Sequence, residues 1–366
     1  MKILHVITSL QIGGAEKLVA EIVPMLTAYG HQVDVVAFDD SEPNFSKLLT
    51  DKSIKVTFFG KGYYKPSYLF RLGRMMKDYD IVHTHNTSPQ YFAAIASLWA
   101  RKPKLVYTEH NTANRMRSIP GFSVFLKWVY GRYQKNICIS DKAEENLRTY
   151  LGVNKSKSSL KSKSSLKLNS KICTIYNGVN VHHFHDASPI SGLHPEGKTV
   201  VVMVAGFRPQ KDQDTLIRAF SYLPEDKYEL WIVGDGARRA ELEALAKGKE
   251  NIKFLGVRSD IPEILNTADI VVMSSHYEGL SLSSVEGMSV GKPFVASDVD
   301  GLHEVVEGYG ILVPHQDAKA LADEITHLAT DTTYYQQVAN KCWQRALMFD
   351  IKTMVEGYEG VYKKLF

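Results

Sequence analysis

The sequence predicts an α/β protein with two doubly wound parallel sheets. Short apolar runs typical of buried parallel strands alternate with stretches of helical period, and this alternation occurs twice along the chain. The chain has 366 residues, more than one hydrophobic core usually organises. We therefore expect two domains, each a parallel sheet covered by helices.

The first half of the chain contains seven apolar runs that predict strands, with helices between them. The expected strands are residues 2–8, 32–38, 54–58, 81–84, 104–108, 136–139 and 171–175. The clearest expected helices are 16–29 and 89–100. Strands separated by helices favour parallel pairing, because a crossover helix returns the chain to the same end of the sheet.

The second half restarts this alternation after residues 187–197, which contain two Pro and two Gly and have the composition of a linker. The expected strands are 199–206, 228–233, 252–255, 270–273 and 293–296, and the expected helices are 212–223, 238–247 and 261–266. We therefore predict domains at 1–186 and 187–350. A ligand would bind between them, at the carboxyl ends of both sheets.

Composition narrows the class of protein. Apolar residues make up 44% and charged residues 23%, values typical of a globular protein in water. Three widely spaced cysteines, an odd number, indicate neither a disulfide framework nor a zinc motif. The first apolar run is short and ends at Gly13, which predicts a strand and turn and not a signal peptide. With no run of 18 apolar residues, we expect no membrane-spanning segment, and the cysteine usage favours a reducing compartment and a cytoplasmic protein.

Charge is distributed unevenly between the halves. Residues 1–186 carry 26 Lys and Arg against 14 Asp and Glu, whereas residues 187–366 carry 18 against 26. Residues 155–166 repeat Lys-Ser-Lys-Ser-Ser-Leu in tandem, which predicts a mobile loop. Residues 61–77 and 115–135 interleave basic and aromatic residues. They fit either an anionic membrane surface or amphipathic helices packed on the core; no nucleic-acid motif accompanies them.

The most informative segment follows the expected strand 270–273. Glu278 and Glu286 flank the start of an expected helix, opened by small and apolar residues, Gly279, Leu280 and Ser281. Free N–H groups at a helix N-terminus, together with the helix dipole, suit a pyrophosphate. Glu286 lies about two turns into that helix, so the two carboxylates could bind opposite ends of an extended ligand, a sugar hydroxyl and a ribose diol. Two solvated surface carboxylates are the alternative interpretation.

Two cations follow the strand that ends near Gly206. Arg208 and Lys211 can neutralise a diphosphate leaving group, which is the main electrostatic need in breaking a glycosyl–phosphate bond. A solvated loop pair is the alternative interpretation.

Further candidates follow strands of the first half. Gly13 and Gly14 precede a helix, where glycine lets the backbone approach a phosphate or an acceptor, although a plain tight turn fits equally well. His110 ends the strand 104–108, and its imidazole can hydrogen-bond sugar hydroxyls without a charge; His83 and His85 end the neighbouring strand. None of these residues forms a recognisable metal-binding or Ser-His-Asp pattern.

Taken in order, the motifs make the chain similar to the retaining glycosyltransferases of family four, which have the GT-B fold. Apart from the two-glutamate segment, the matching segments are SLQIGGAEK, DIVHTHN, TEHN, CISDKAEENL, TIYNGVN, FRPQKDQDTLIRAF, LWIVGDG and ASDVDGLHEVV. The resemblance implies two Rossmann-like doubly wound domains facing a cleft, with a nucleotide sugar held mainly by the second. It also implies a C-terminal helix, 351–366, that crosses back onto the first domain, retention at the anomeric carbon and no metal or other cofactor.

The resemblance also implies roles for the candidates. Arg208 and Lys211 would hold the diphosphate, Glu278 the donor sugar and Glu286 the ribose. His110 would contact the sugar near its reacting face, and Gly279, Leu280 and Ser281 would complete the donor site through their backbones. One departure concerns Gly206, since the family often has Arg there; Arg208 comes two residues later.

The expected function is transfer of a sugar from a nucleotide diphosphate sugar, UDP being favoured, to a saccharide or lipid-linked saccharide in capsule or lipopolysaccharide synthesis. The family resemblance and the basic first half together favour peripheral attachment to the inner face of the plasma membrane. A non-hydrolysing nucleotide-sugar epimerase is the first alternative, and a non-catalytic sugar-binding protein is the second. A nicotinamide dehydrogenase is disfavoured, because G-x-G-x-x-G is absent.

Overall fold

A computed structural model of the chain describes residues 1–11, 13–41, 44–110, 117, 121–153, 168–278 and 281–366. The chain divides into two units. The first comprises Met1–Asn177 together with Met354–Phe366, and the second comprises Gly178–Thr353.

The first unit contains a seven-stranded, fully parallel sheet. Its strands are β1 (Lys2–Ile7), β2 (Gln32–Asp39), β3 (Val56–Gly60), β4 (Ile81–His85), β5 (Lys104–Glu109), β6 (Lys135–Cys138) and β7 (Ile172–Thr174). Its longer helices are α1 (Gly14–Ala28), α2 (Ser46–Thr50), α3 (Pro66–Met75), α4 (Thr87–Ala96), α5 (Phe122–Arg132) and α6 (Asp141–Leu151). The strand order is β3-β2-β1-β4-β5-β6-β7.

The second unit contains a six-stranded parallel sheet, in the order β10-β9-β8-β11-β12-β13. Its strands are β8 (Thr199–Val204), β9 (Tyr228–Val233), β10 (Ile252–Gly256), β11 (Ile270–Met273), β12 (Phe294–Ser297) and β13 (Ile311–Val313). Its helices are α7 (Val181–His185), α8 (Gln213–Ala219), α9 (Arg239–Leu245), α10 (Ile261–Thr267), α11 (Leu282–Ser289), α12 (His303–Val306), α13 (Ala318–Thr330) and α14 (Thr332–Leu347), with a 3-10 turn at Pro209–Lys211. The last helix of the chain is α15 (Ile351–Lys363).

Each sheet reverses its strand order once in the middle. In the first unit β1 pairs with both β2 and β4, and in the second unit β8 pairs with both β9 and β11. Crossover helices leave in opposite directions from such a switch point, and the crevice at the carboxyl ends of the strands is where open α/β sheets bind ligands. These two edges are therefore the expected positions of a ligand-binding site.

The boundary between the units falls at Asn177 and Gly178, nine residues before the predicted linker at 187–197. The reason is α7, whose Phe184 is buried in the apolar core of the second unit. Its backbone carbonyl also accepts a hydrogen bond of 2.6 Å from the side-chain amide of Asn266, on α10. Helix α7 thus packs with the second unit, although it precedes the Pro- and Gly-containing segment.

The C-terminal segment 354–366 belongs to the first unit. Tyr358 and Tyr362 of α15 are fully buried, and the Tyr362 hydroxyl lies 2.5 Å from Nδ1 of His83 on β4. Among the described residues, no helix combines the length and apolar character that crossing a membrane requires.

Candidate functional site

Lys211 and Glu278 form an ion pair at the switch point of the second unit. Lys211 ends the 3-10 turn that follows β8, and Glu278 comes five residues after β11. Lys211 Nζ and a Glu278 carboxylate oxygen are 2.6 Å apart, and the two side chains are only 16% and 8% exposed. Because little water screens it, this pair attracts more strongly than a surface pair. Two residues predicted to be catalytic therefore lie together at the edge where open α/β sheets generally bind ligands.

Polar contacts fix the two loops that carry this pair. The Ser275 hydroxyl donates to a carboxylate oxygen of Glu278 at 2.7 Å. The side-chain amide of Gln210 donates to the Tyr277 carbonyl at 2.9 Å, and the His276 N–H donates to the Gln210 carbonyl at 2.8 Å. Neither Ser275 nor Gln210 was selected from the sequence, because an uncharged side chain in a loop gives no signal before its partner is known.

Arg208 contrasts with Lys211. Its side chain is exposed and makes no hydrogen bond or ion pair to the part of the chain that the structure describes, and its backbone is extended. The loop position that often carries the family Arg is Gly206, whose surroundings are open: a Cβ placed there would meet no atom closer than 3.8 Å. A guanidinium two residues later is thus available to an anionic ligand.

The helix after Glu278 begins at Leu282, three residues later than the expected start at Gly279. Ser281 is the N-cap of α11, and its hydroxyl accepts a hydrogen bond of 3.3 Å from the Ser284 N–H. Glu286, which is half-buried, is the fifth residue of α11, so it lies about one turn into the helix and not two. The predicted donor-binding residues Gly279 and Leu280 lie outside the described residues.

Gly13 and Gly14 lie at the start of α1, with Gly13 as the N-cap in an extended conformation. A side-chain carbon at Gly13 would come within 2.2 Å of the Glu16 carboxylate, whereas one at Gly14 would meet open space. Burial raises the pKa of Glu16. Any anion at this helix end would therefore come near a carboxyl group that is easier to protonate than usual.

His110 is the end of a hydrogen-bonded row of three histidines in the first unit. Its Nε2 lies 2.9 Å from Nδ1 of His85, and Nε2 of His85 lies 3.0 Å from Nδ1 of His5. Burial lowers the pKa of His110 to about 4 and that of His5 to about 3, so the rings are neutral near pH 7. A neutral imidazole has one N–H; His85 must donate to one neighbour and accept from the other. The tautomers of the three rings are therefore coupled.

His83 lies beside this row of histidines and has its own hydrogen-bond partners. Its Nε2 is 2.7 Å from the Thr108 hydroxyl, and that hydroxyl donates to the Tyr358 oxygen at 3.5 Å. Thr108 therefore accepts from the Nε2–H of His83, and the Tyr362 hydroxyl donates to Nδ1. Nδ1 of His83 therefore links β4 to α15, and Nε2 links β4 to β5.

A buried ion pair joins Glu109, which precedes His110, to Arg117, which follows it. The Arg117 guanidinium lies 2.5 Å from the Glu109 carboxylate, and the Tyr130 hydroxyl donates to the same carboxylate at 2.7 Å. Burial and the neighbouring Glu109 carboxylate raise the pKa of Tyr130 well above its usual value. Sequence reasoning missed this group, because its partners come from β5, α5 and the segment between them.

The candidates thus fall into two sets. Lys211, Glu278, Arg208, Ser281 and Glu286 belong to the second unit, whereas Gly13, Gly14 and His110 belong to the first. The tandem Lys/Ser repeat at 155–166 lies outside the described residues.

Two family models match the chain. The model described as Glycosyltransferase Family 4 matches residues 12–160, and the model described as Glycosyl transferases group 1 matches residues 198–331. Together they cover most of both units.

Known proteins with similar sequences point the same way. The chain is 27% identical, over 86% of its length and 83% of the relative's, to a phosphatidyl-myo-inositol mannosyltransferase of Mycobacterium leprae. It is also 27% identical, over 80% of its length and 77% of the relative's, to the UDP-Gal:alpha-D-GlcNAc-diphosphoundecaprenol alpha-1,3-galactosyltransferase of Escherichia coli.

A solved structure shows the same fold. The Anabaena protein Alr3699/HepE, crystallised in complex with UDP, aligns over 100% of both chains with a TM-score of 0.80 at 23% identity. The two parallel sheets and this likeness confirm the predicted fold class, two doubly wound α/β domains of the GT-B type.

Proposed function

Because the chain belongs to glycosyltransferase family 4, we propose that it transfers a hexose from a UDP-sugar, with retention, to a lipid-linked or other saccharide acceptor. The observation that carries this proposal is the Lys211–Glu278 pair at the switch point of the second unit. A cation and a carboxylate held at this edge suit the two ends of a sugar diphosphate.

In the proposed reaction, the bond between the anomeric carbon and the diphosphate oxygen breaks, and the diphosphate leaves with the electron pair. Lys211 and Arg208 neutralise the charge that develops on it. The acceptor hydroxyl attacks from the same face, and its proton passes to the leaving diphosphate. Glu278 holds hydroxyls of the transferred sugar, and Glu286 holds the ribose.

The remaining candidates are proposed to contact the substrates as well. Ser281, with the backbone of Gly279 and Leu280, contacts the donor, and the N-terminus of α1 at Gly13 and Gly14 offers N–H groups to an anion. His110, a neutral imidazole, hydrogen-bonds a hydroxyl of the sugar.

The relatives support the choice of substrates. The name of the Escherichia coli relative specifies a UDP-sugar donor and a diphosphoundecaprenol-linked acceptor, and the Anabaena structure contains UDP. We therefore propose UDP as the nucleotide of the donor. We also propose that the transferred sugar becomes part of a cell-surface polysaccharide, such as capsule or lipopolysaccharide.

A lipid-linked acceptor would lie at a membrane, and the first unit has a surface suited to one. Residues 61–77 expose three aromatic side chains, Tyr63, Tyr64 and Phe70, among exposed lysines and arginines. Phe70 stacks on the exposed Trp99, with ring centroids 6.2 Å apart. Exposed aromatic and basic side chains together favour an anionic interface. We propose peripheral attachment on the cytoplasmic side, seen as salt-sensitive binding to anionic and not to zwitterionic vesicles.

The test of the proposed function is a thermal-shift comparison with UDP, GDP, ADP and NAD. A nucleotide at about 100 times its Kd adds about 2.7 kcal/mol of stability, so a true ligand raises Tm visibly. We expect UDP to do so for the wild type and much less for Glu286→Ala, which removes the proposed ribose contact.

Glu250→Ala is the matched control. Glu250 is exposed just before β10, at the amino end of that strand, whereas the proposed site lies at the carboxyl ends of the strands. This variant should keep the full UDP shift. A stabilisation by NAD alone, or by no nucleotide, would contradict the proposed donor site. Conversion of a UDP-sugar to a different UDP-sugar without any acceptor would indicate an epimerase.

A further inference from the structure

Three potential metal ligands meet beside the Lys211–Glu278 pair. They are the Asp212 carboxylate and the imidazoles of His276 and His315, and their ligand atoms all lie within 4.8 Å of one another. His276 Nδ1 is 2.8 Å from His315 Nε2 and 3.6 Å from Asp212 Oδ2. No local sequence pattern marks this group, because its members are separated by 64 and 39 positions.

The fold brings these residues together at one edge of the second sheet. Asp212 follows the 3-10 turn after β8, His276 comes three residues after β11, and His315 comes two residues after β13. Parallel strands end at the same edge, so residues that directly follow them converge. The backbones of Asp212 and of Gln316, next to His315, are left-handed, with φ of 44° and 61°, a conformation that costs free energy for residues other than glycine.

The three ligands are held in place to different degrees. The Asp212 side chain is 3% exposed, and its carboxylate accepts hydrogen bonds from the Thr215 hydroxyl at 2.7 Å and from the Thr215 N–H at 3.3 Å. The His276 backbone is tied to Gln210, and its side chain is 31% exposed. His315 is exposed, so the group is open to an ion from solvent.

The distances suit a small transition-metal ion. Zinc binds imidazole nitrogen and carboxylate oxygen at about 2.0–2.2 Å, so adjacent ligand atoms in a tetrahedral site are about 3.3 Å apart. The two separations here, 2.8 and 3.6 Å, bracket that value. Mg²⁺ and Ca²⁺ prefer oxygen ligands, whereas two imidazoles and one carboxylate favour zinc and its neighbours in the first transition row.

We propose that Asp212, His276 and His315 bind a divalent transition-metal ion, with Zn²⁺ as the best fit, in a three-ligand site that leaves a fourth position open. The ion would link the loops after β8, β11 and β13. Two of these loops carry Lys211 and Glu278, so the ion braces the pair without touching it. This inference concerns metal binding alone and does not depend on the proposed transfer reaction.

A second histidine group, His5, His83 and His85, does not offer an equal site. All three rings are fully buried, and both nitrogens of His83 and of His85 already have partners. Among the described contacts only Nε2 of His5 is unpartnered. A metal there would have to break several buried hydrogen bonds and would gain no carboxylate ligand.

The test is isothermal titration of the metal-free full chain with ZnCl₂, with MgCl₂ as the comparison ion. We expect one Zn²⁺ per chain and no Mg²⁺ binding at the same concentration. His315→Ala removes an exposed ligand and should weaken binding by about tenfold or more, which is the scale of effect seen even for outer-shell changes. Asp212→Asn should weaken it similarly while preserving the N-cap of α8, since Asn caps a helix as well as Asp does.

His303→Ala is the matched control. His303 is another exposed histidine of this unit with two carboxylate neighbours, Asp298 and Glu307, and its loss should leave the Zn²⁺ affinity unchanged. The proposal would be overturned by three results: no Zn²⁺ binding by the wild type, equal affinity in His315→Ala and Asp212→Asn to that of the wild type, or loss of binding in His303→Ala. Co²⁺ absorption bands present in the wild type and absent in His315→Ala would give an independent readout.

Discussion

The two switch points occupy equivalent places in two similar sheets, yet they carry opposite chemistry. In the first unit the residues at the β1/β4 reversal are His5, His83 and His85, which are buried and, within the described part of the chain, hydrogen-bond to other histidines and to hydroxyl groups. In the second unit the β8/β11 reversal carries the Lys211–Glu278 ion pair, at the rim of the sheet. The fold places both groups of residues at a switch point, and how deeply each side chain is buried decides whether it can carry a charge.

Depth matters because an ion loses solvation when it is buried. His5, within β1, has its pKa lowered to about 3 by burial, and burial also lowers the pKa of His83 and of His85 well below the usual value. Near pH 7 these three rings therefore present only neutral hydrogen-bonding groups. Lys211 and Glu278 lie on loops beyond the strand ends, where each is the other's counter-ion. The comparison predicts that the second unit contributes charge stabilisation and the first unit contributes orientation.

The largest expected effect tests the charged side of this comparison. Lys211→Ala should lower kcat by about 10² or more, the loss seen when one donor to a developing anion is removed. The measurement is steady-state transfer from a UDP-sugar. Lys319→Ala, which removes an exposed ion pair with Asp323 in the same unit, should leave kcat unchanged, because such surface pairs contribute little.

Near-normal turnover by Lys211→Ala would show that this lysine does not neutralise the leaving group. Equal losses in both lysine variants would instead indicate a general dependence on the charge of the second unit, and the contrast between the switch points would fail.

A smaller effect tests the neutral side. The pKa of His5 is about 3 in the folded chain and about 6.5 when unfolded, so the unfolded state binds more protons between these values. The contribution of His5 to the free energy of unfolding is therefore fully present above about pH 6.5 and is lost as the pH falls towards 3. At pH 5 the loss from His5 alone is about 2 kcal/mol.

Hydrogen exchange at pH 7 and 5, corrected for the intrinsic rate, measures this loss. We expect protection to fall in peptides of β1 and β4 and to hold in β8 and β11, which contain no histidine. His5→Gln, which keeps a polar side chain but cannot titrate, should reduce the difference. An equal fall in both sheets would mean that another group controls acid stability.

The sequence predicts most of the fold because buried strands and helices each produce a local pattern of apolar residues. The run 270–273 coincides with β11, and the expected helix 89–100 is observed as α4, shifted towards the chain start by two residues and ending at Ala96. Strand β13 was not predicted, because three residues, Ile311–Val313, are too few to show a period.

The site is less predictable, because its contacts join distant segments. Lys211 and Glu278 could each be selected from charge and position, but their contact could not. The row of hydrogen-bonded histidines from His110 to His5 depends on the alignment of His5 with His83 across neighbouring strands. The residues that it joins across these strands are about 80 positions apart in the sequence. No local pattern encodes that register; it follows from which strands pair at the switch point.

An effect of similar size concerns the Tyr362 hydroxyl, which attaches α15 to the histidine cluster of His5, His83 and His85. Tyr362→Phe removes the hydroxyl that donates to Nδ1 of His83 at 2.5 Å and leaves a buried acceptor without a partner, at a cost of about 1–3 kcal/mol. The Tm of the first unit, followed by limited proteolysis of α15, should fall. Tyr222→Phe is the control, because Tyr222 is 57% exposed in the second unit and its loss should leave Tm unchanged. An unchanged Tm in both variants would mean that packing of the ring, and not the hydrogen bond, attaches α15 to the histidine cluster.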